Sequence, residues 1–259
     1  MAFRQKKEHI VNKFIRIAWF LMLALLPVTS MPVVSHLLGS NSVASPSIII
    51  LAFLVIVWLM PWLFSGKPLP SQAVPLLLFL CVVLISSALS FFIEIPPYKG
   101  ISIIRNDLQA LVTLAIGICF YLIASTYPQD NKLLRRSAQI INWSGLVMLL
   151  WGVVQGITWI KLKHYPSWMY DVQGLISLGS LYRQRVTALA LEPSWLAHEL
   201  NMFYLPIWLA ATAKKQSAHE FRIGIISLEN ILLVGGVIIL VLETPSETEI
   251  TPETESTQQ

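Results

Sequence analysis

The sequence predicts an all-α membrane protein that crosses the bilayer about seven times, with its N-terminus in the cytoplasm and one long outer loop before the sixth span. Three observations carry this. Hydrophobic residues make up 55% of 259 positions and charged residues only 12%, whereas soluble domains carry roughly 25% charge. The remaining charges gather in short blocks between apolar runs of about 20 residues, the length a helix needs to cross a hydrocarbon layer of roughly 30 Å. Lys and Arg divide unevenly between alternate flanks.

Seven segments meet the length and apolarity requirement, at 14–34, 47–64, 73–93, 104–127, 139–160, 193–213 and 223–242. Backbone groups in lipid need internal partners, so helices are the expected spanning structure; the alternation of a membrane β-barrel is absent. With the N-terminus inside, twelve of the 18 basic residues fall in inner flanks and six in outer ones, the bias that sets orientation. The basic start followed by apolar residues 17–26 resembles a secretory leader. No A-x-A-like site follows and six more spans do, so it reads as an uncleaved first helix. Pro27, Pro32, Pro61 and Pro206 lie in or near spans, where ordinary kinks are expected.

Two regions depart from this pattern. The outer loop 161–192 carries Tyr165, Trp168 and Tyr170 near its start, with Trp159 just before. Loops this long are functional or disordered, and the aromatic content speaks against disorder; residues 175–181 read as a short surface helix. The tail 243–259 holds five Glu and no basic residue and reads as disordered and outside. The transmembrane domain is thus 1–242.

Several function classes drop out. The net charge of +4 comes from residues at span ends, which are topology signals, so no nucleic-acid partner is expected. Cys81 and Cys119 sit inside apolar runs, with neither zinc spacing nor a disulfide framework. Neither G-x-x-x-x-G-K-[ST] nor G-x-G-x-x-G occurs, so no nucleotide loop is present. No cofactor and no metal are expected. The stretch 198–202, HELNM, begins like a zinc-protease helix, but Met202 stands where the second histidine must be. His9, His36, His164 and His219 are scattered in separate flanks and receive no role.

The most informative stretch is 182–197, YRQRVTALALEPSWLA. Glu192-Pro193-Ser194 reads as a helix start, because proline is favoured at the first helical position. A helix N-terminus offers free N–H groups and positive partial charge to a phosphate, and arginine matches phosphate oxygens in bidentate geometry. With Arg183 and Arg185 just upstream, one reading is a site for a lipid-linked phosphate or pyrophosphate. The other is that both arginines anchor to headgroups while Glu192 complements the helix dipole. Glu199, seven residues after Glu192, falls near the same helix face and either pairs with Arg185 or sits solvated at the interface. Arg105, Asn106, Asp107 and Gln109 open the fourth span, after Glu94 and Lys99. They read as an interfacial ion-pair cap or as a wall of a sugar-binding cavity. Glu229 with Asn230 reads as a proton seat or a helix–helix hydrogen bond.

The segment RVTALALEPSWLAHEL resembles the signature of the bacterial O-antigen ligase and polymerase family, in Arg185, Glu192, Pro193, Ser194 and Ala197. Ala188 stands where that family often has glycine. The resemblance implies a multispanning glycosyltransferase of C-type architecture in the inner membrane. It would use an undecaprenyl-pyrophosphate-linked sugar on the periplasmic face, with the bilayer and the lipid-linked oligosaccharide as partners. Arg185, with Arg183, would stabilise the leaving pyrophosphate, and Glu192 would orient or deprotonate the acceptor hydroxyl. Arg105 and Glu199 would help bind substrate. The family continues with further helices and a second basic outer loop, and often reads Leu-Thr-x-Ser-Arg near the place where this chain has Thr244, Ser246 and Glu247. The chain is therefore expected to be C-terminally truncated, with a possible second polypeptide completing the site. Two other classes stand beside this one: a non-catalytic component of a polysaccharide assembly complex, and a small-molecule transporter using Glu229 and Glu199, which lacks the internal repeat often seen in such folds.

Overall fold

The computed structural model describes residues 2–37, 45–90, 103–220, 222–223 and 226–243. The expectations for Glu94, Lys99 and the tail beyond residue 243 lie outside these. The described chain is mostly helical: α1 Ala2–Ala24, α2 Pro32–Leu37, α3 Pro46–Leu54, α4 Met60–Phe64, α5 Val74–Ser90, α6 Ile103–Thr126, α7 Asn131–Leu162, α8 Ser167–Ile176, α9 Pro193–Glu199, α10 Leu205–Ala213 and α11 Leu228–Glu243. A two-stranded hairpin, β1 Arg222–Ile223 and β2 Ile226–Ser227, precedes α11.

Among the described residues, four helices are long and apolar enough to cross a membrane: Pro46–Phe64, Ser71–Ser90, Ile104–Thr126 and Asn131–Leu162. They fall on the second to fifth expected segments. The other three expected segments differ for identifiable reasons. The first breaks after Ala24 into turns closed by Leu25 N–H to Leu21 O and Val28 N–H to Leu25 O, because Pro27 has no N–H with which to continue the ladder. Residues 193–213 are helical throughout, but His198, Glu199 and Asn201 interrupt their apolar character. The last helix begins only at Leu228, after the hairpin; its 16 residues rise about 24 Å at 1.5 Å each.

The prolines do more than kink. A five-residue π turn, Val55–Leu59, joins α3 to α4, and a second, Leu200–Tyr204, joins α9 to α10. In each, the last donor before a proline reaches back five residues: Met60 N–H to Val55 O ahead of Pro61, and Leu205 N–H to Leu200 O ahead of Pro206. A proline ring clashes with the carbonyl four residues back, and widening the preceding turn relieves that clash.

The chain divides into two compact units, residues 1–19 with 48–134, and residues 20–47 with 135–259. In the first, Trp58 packs on Trp62 and Tyr127 with centroids 6.0 and 5.2 Å apart, and the Tyr121 hydroxyl donates to Gln72 O at 2.9 Å. Leu78, Val82 and Ile85 on α5 are each more than 60% exposed, an apolar stripe that lipid would cover.

The second unit is organised on α7. One stripe of that helix is buried: Ser137, Ser144, Gly145, Met148, Gly152 and Gln155 among others. Small residues let partners approach closely, as at membrane helix interfaces. Gly145 faces Trp208 and Tyr204, Gly152 faces Ile239 and Val186, and Gly236 of α11 faces Leu205 and Trp208. A methyl group at Gly145 would stand 2.5 Å from a Trp208 ring carbon and 3.0 Å from Tyr204. Gly145→Ala is therefore expected to destabilise the protein by about 1–3 kcal/mol, read as a lower thermal midpoint in detergent. Gly117→Ala on α6, where nothing lies within 4 Å, should leave the midpoint unchanged or raise it.

Candidate functional site

The loop between α8 and α9 is held from three sides within the second unit. From α7, Gln155 is fully buried. Its Oε1 accepts from Thr187 N–H at 3.1 Å and Ala188 N–H at 2.8 Å. Its Nε2 donates to Ala188 O at 3.3 Å and to Gln173 Oε1 at 3.1 Å. Gln173 Oε1 also accepts from Trp151 Nε1 at 3.0 Å. These bonds hold Ala188 at φ 47, a left-handed conformation that disfavours side chains. From the broken end of α1, the Thr29 hydroxyl accepts from Leu191 N–H at 2.8 Å, and Ser30 lies 2.9 Å from the Ser177 hydroxyl and accepts from Leu178 N–H. From within, Ser177 donates to Ala190 O at 3.3 Å.

The short helix expected at 175–181 lies earlier, at Ser167–Ile176. Pro166 in extended conformation begins it, and Ser177, also extended, ends it. Leu178 and Gly179 then direct their N–H groups to the Ser30 and Ser177 hydroxyls. Tyr165 donates its hydroxyl to Tyr182 O at 3.0 Å, beside Arg183. Burial, reinforced by the neighbouring Tyr170, pushes the Tyr165 phenol up to about 12, so it remains a donor at physiological pH.

The predicted site residues separate into different environments. Arg183 is exposed, next to the turn residue Gln184 at φ 61. Arg185 is half-buried, and its Nε is buried with no hydrogen-bond partner among the described residues. Glu192 is exposed and stands in extended conformation before Pro193, the first residue of α9. The helix start read from the sequence is thus present. Glu192 O accepts from Trp195 and Leu196 N–H, and its carboxylate receives Ser194 Oγ at 3.4 Å. Glu199 is half-buried with Oε2 unpartnered; no ion pair joins it to Arg185, so that expected pairing is not formed. Arg105 is exposed on the first turn of α6, in the other unit. Asp107 beside it accepts from the Ser90 hydroxyl at 2.8 Å.

Sequence reasoning passed over Gln155, Gln173, Thr29 and Ser30. A signal for Gln155 was present: it is a lone amide in an apolar run, and polar groups at membrane depth are costly and require partners.

A second polar cluster surrounds Glu229, whose Oε2 is buried with no hydrogen-bond partner among the described residues. Glu229 is 1% exposed, and its Oε1 accepts from Asn142 Nδ2 at 2.8 Å and from Ala218 N–H at 3.0 Å. Asn142 Oδ1 receives Trp208 Nε1 at 3.1 Å. Arg135 and Gln139 donate to Ala218 O at 2.9 and 2.8 Å. The Glu229 carboxylate ties α7, α11 and the 214–220 turn together, the helix–helix hydrogen bond among its two expected roles.

Against known protein families, curated proteins and solved structures, the chain finds no match.

Gly179 marks where two arms of the loop cross, since a Cβ there would stand 1.8 Å from Leu191 O. Gly179→Ala should force the arms apart, making residues 177–191 more susceptible to limited proteolysis while the helices remain folded. His219 has a buried Nε2 without a partner and packs edge-on to Trp143 at 5.9 Å. Burial lowers its pKa below the ordinary 6.5, with Arg135 adding to the effect and Glu229 opposing it. The unfolded chain takes up this proton more readily, so stability is whole above the ordinary imidazole range and falls as pH drops below it. His219→Phe, which retains the ring packing, should lose less thermal stability between pH 7.5 and 5 than the wild type.

Proposed function

We propose that the chain acts in O-antigen polymerase-like or ligase-like glycosyl transfer, taking a sugar from an undecaprenyl-pyrophosphate carrier at the periplasmic face of a bacterial inner membrane. The observation that carries this reading is Arg185. It is a cation with a buried, unpartnered donor, on a turn whose backbone Gln155 holds two residues further on. A guanidinium in that state is prepared for an anion, and a preorganised donor acts most strongly where charge develops in the transition state.

In this reading the bond between the anomeric carbon and the pyrophosphate oxygen breaks as the acceptor hydroxyl forms the new glycosidic bond. Arg185 stabilises the charge gathering on the departing pyrophosphate, assisted by exposed Arg183. The Glu192 carboxylate, exposed and lightly held by Ser194, accepts the hydroxyl proton. The left-handed backbone at Ala188 adds support, because the resembled family often places glycine at this position.

Polymer length in a complementation assay tests the proposal. Arg185→Ala should reduce transfer by about a hundredfold or more, the loss typical when one transition-state donor is removed. Its thermal midpoint should stay close to wild type, because among the described residues the buried Nε has no hydrogen bond to lose. Full-length polymer from Arg185→Ala would refute the assignment.

A further inference from the structure

α7 has 32 residues and rises about 48 Å at 1.5 Å each, whereas a hydrocarbon layer is roughly 30 Å thick. Centred on that layer, it projects by about six residues at each end. The charges agree with this placement, since Lys132, Arg135 and Arg136 lie in the first projecting segment and the next charge along the helix is Lys161. The far hydrocarbon boundary therefore falls near Gly156. α8 meets α7 at this level: Trp168 packs on Trp151 with centroids 6.1 Å apart, and Gln173 bonds to both Trp151 and Gln155. With about 3.6 residues per turn, α8 presents three faces. Met169 and Gln173 are buried. Trp168 and Leu175, seven residues apart, share a second face and are 50% and 73% exposed. Ser167, Asp171 and Gly174 form the third, also exposed.

Their aromatic neighbours orient these faces. Trp168 meets Trp151, on the bilayer-centre side of Gly156, whereas Tyr170 lies 6.2 Å from Tyr165, which packs on Trp159 toward the end of α7. The apolar flank thus looks toward the acyl chains and the polar flank toward water. Exposed cations adjoin the start of α8. Lys161 and Lys163 precede it, and Arg183 follows Tyr182, whose carbonyl takes the Tyr165 hydroxyl. We propose that α8 is an interfacial anchor that inserts Trp168 and Leu175 among the upper acyl chains of phospholipids, while Lys161, Lys163 and Arg183 meet their phosphates. An indole and a leucine on one flank with polar groups on the next suit a helix lying in the interface plane. The cations beside it complement a phosphate layer, which favours lipid over a second copy of this chain as the occupant. Because Gln173 ties α8 to Gln155, and Gln155 holds Thr187 and Ala188, the anchor sets the depth of the turn that carries the arginines. The inference requires a bilayer and no sugar carrier.

The test places spin labels on adjacent residues that lie on different flanks. Leu175→Cys and Gly174→Cys are made separately in the full chain carrying Cys81→Ser and Cys119→Ser, then reconstituted in phosphatidylcholine–phosphatidylglycerol bilayers. Leu175 is exposed, and a Cβ at Gly174 meets nothing within 4 Å, so neither label disturbs packing. The ratio of collisions with oxygen to collisions with a water-soluble nickel chelate should be several-fold higher at 175 than at 174. Equal, nickel-accessible labels would place α8 in water and overturn the inference. A label at 175 shielded from both reagents would show that protein, such as a second copy, covers the face, and would overturn it equally. If the cysteine-free protein does not fold, the wild type and Trp168→Phe are compared in lipids brominated on the upper acyl chain. Trp168→Phe should lose part of the quenching, and quenching that it leaves unchanged overturns the inference.

Discussion

One side-chain amide holds the second unit's loop in shape. A buried loop carries backbone donors and acceptors that no regular element satisfies, and each one left unpaired costs about as much as a lost hydrogen bond. Gln155 meets this with both ends at once, accepting from the successive N–H groups of Thr187 and Ala188 and donating to Ala188 O. A hydroxyl is too short to bridge both, and a carboxylate has no donor. Because the amide sits on α7, the longest helix described, the loop inherits the rigidity of a packed element.

That arrangement depends on two others. The α7 glycines bring Trp208, Tyr204 and Val186 against the helix backbone, so the core that supports Val186 through Ala190 closes directly below the amide. The break in α1 is equally necessary. An unbroken first helix would commit its backbone to its own ladder and carry Thr29 and Ser30 along that helix. Ending the helix at Ala24, ahead of Pro27, frees the two hydroxyls to take Leu191 and Leu178 N–H groups on the loop's other side.

The long apolar helices were legible because length and hydropathy are sufficient evidence for them, and α3 to α7 lie where uninterrupted apolar runs placed them. The start of α9 was legible for a local reason, since proline at its first position is preorganised for a helix. What escaped was everything decided by tertiary partners. Nothing in residues 24–31 announces which hydroxyl will meet which N–H more than a hundred residues away. An amide at membrane depth signals that Gln155 needs partners, but the sequence does not say that those partners are Thr187, Ala188 and Gln173. Residues 223–227 read as the beginning of a span because they are mostly apolar, yet the Ile223 and Ile226 pairing turns the chain back before α11 can begin.

Ala188 shows how a short sequence pattern acquires physical meaning. Its φ of 47 lies in the region that side chains disfavour by roughly 1–2 kcal/mol, which is the ordinary reason for a glycine. The Cβ nonetheless has a place, packed with Gly152 in the buried core, and burying a methyl returns about 0.8 kcal/mol. Backbone strain and packing therefore nearly offset one another, so alanine can occupy a position suited to glycine. The spacing from Arg185 through residue 188 to Glu192 and Pro193 thus describes a turn that Gln155 grips followed by a helix start. Such a pattern specifies how an arginine is presented, on a turn whose backbone a buried amide fixes from the neighbouring helix.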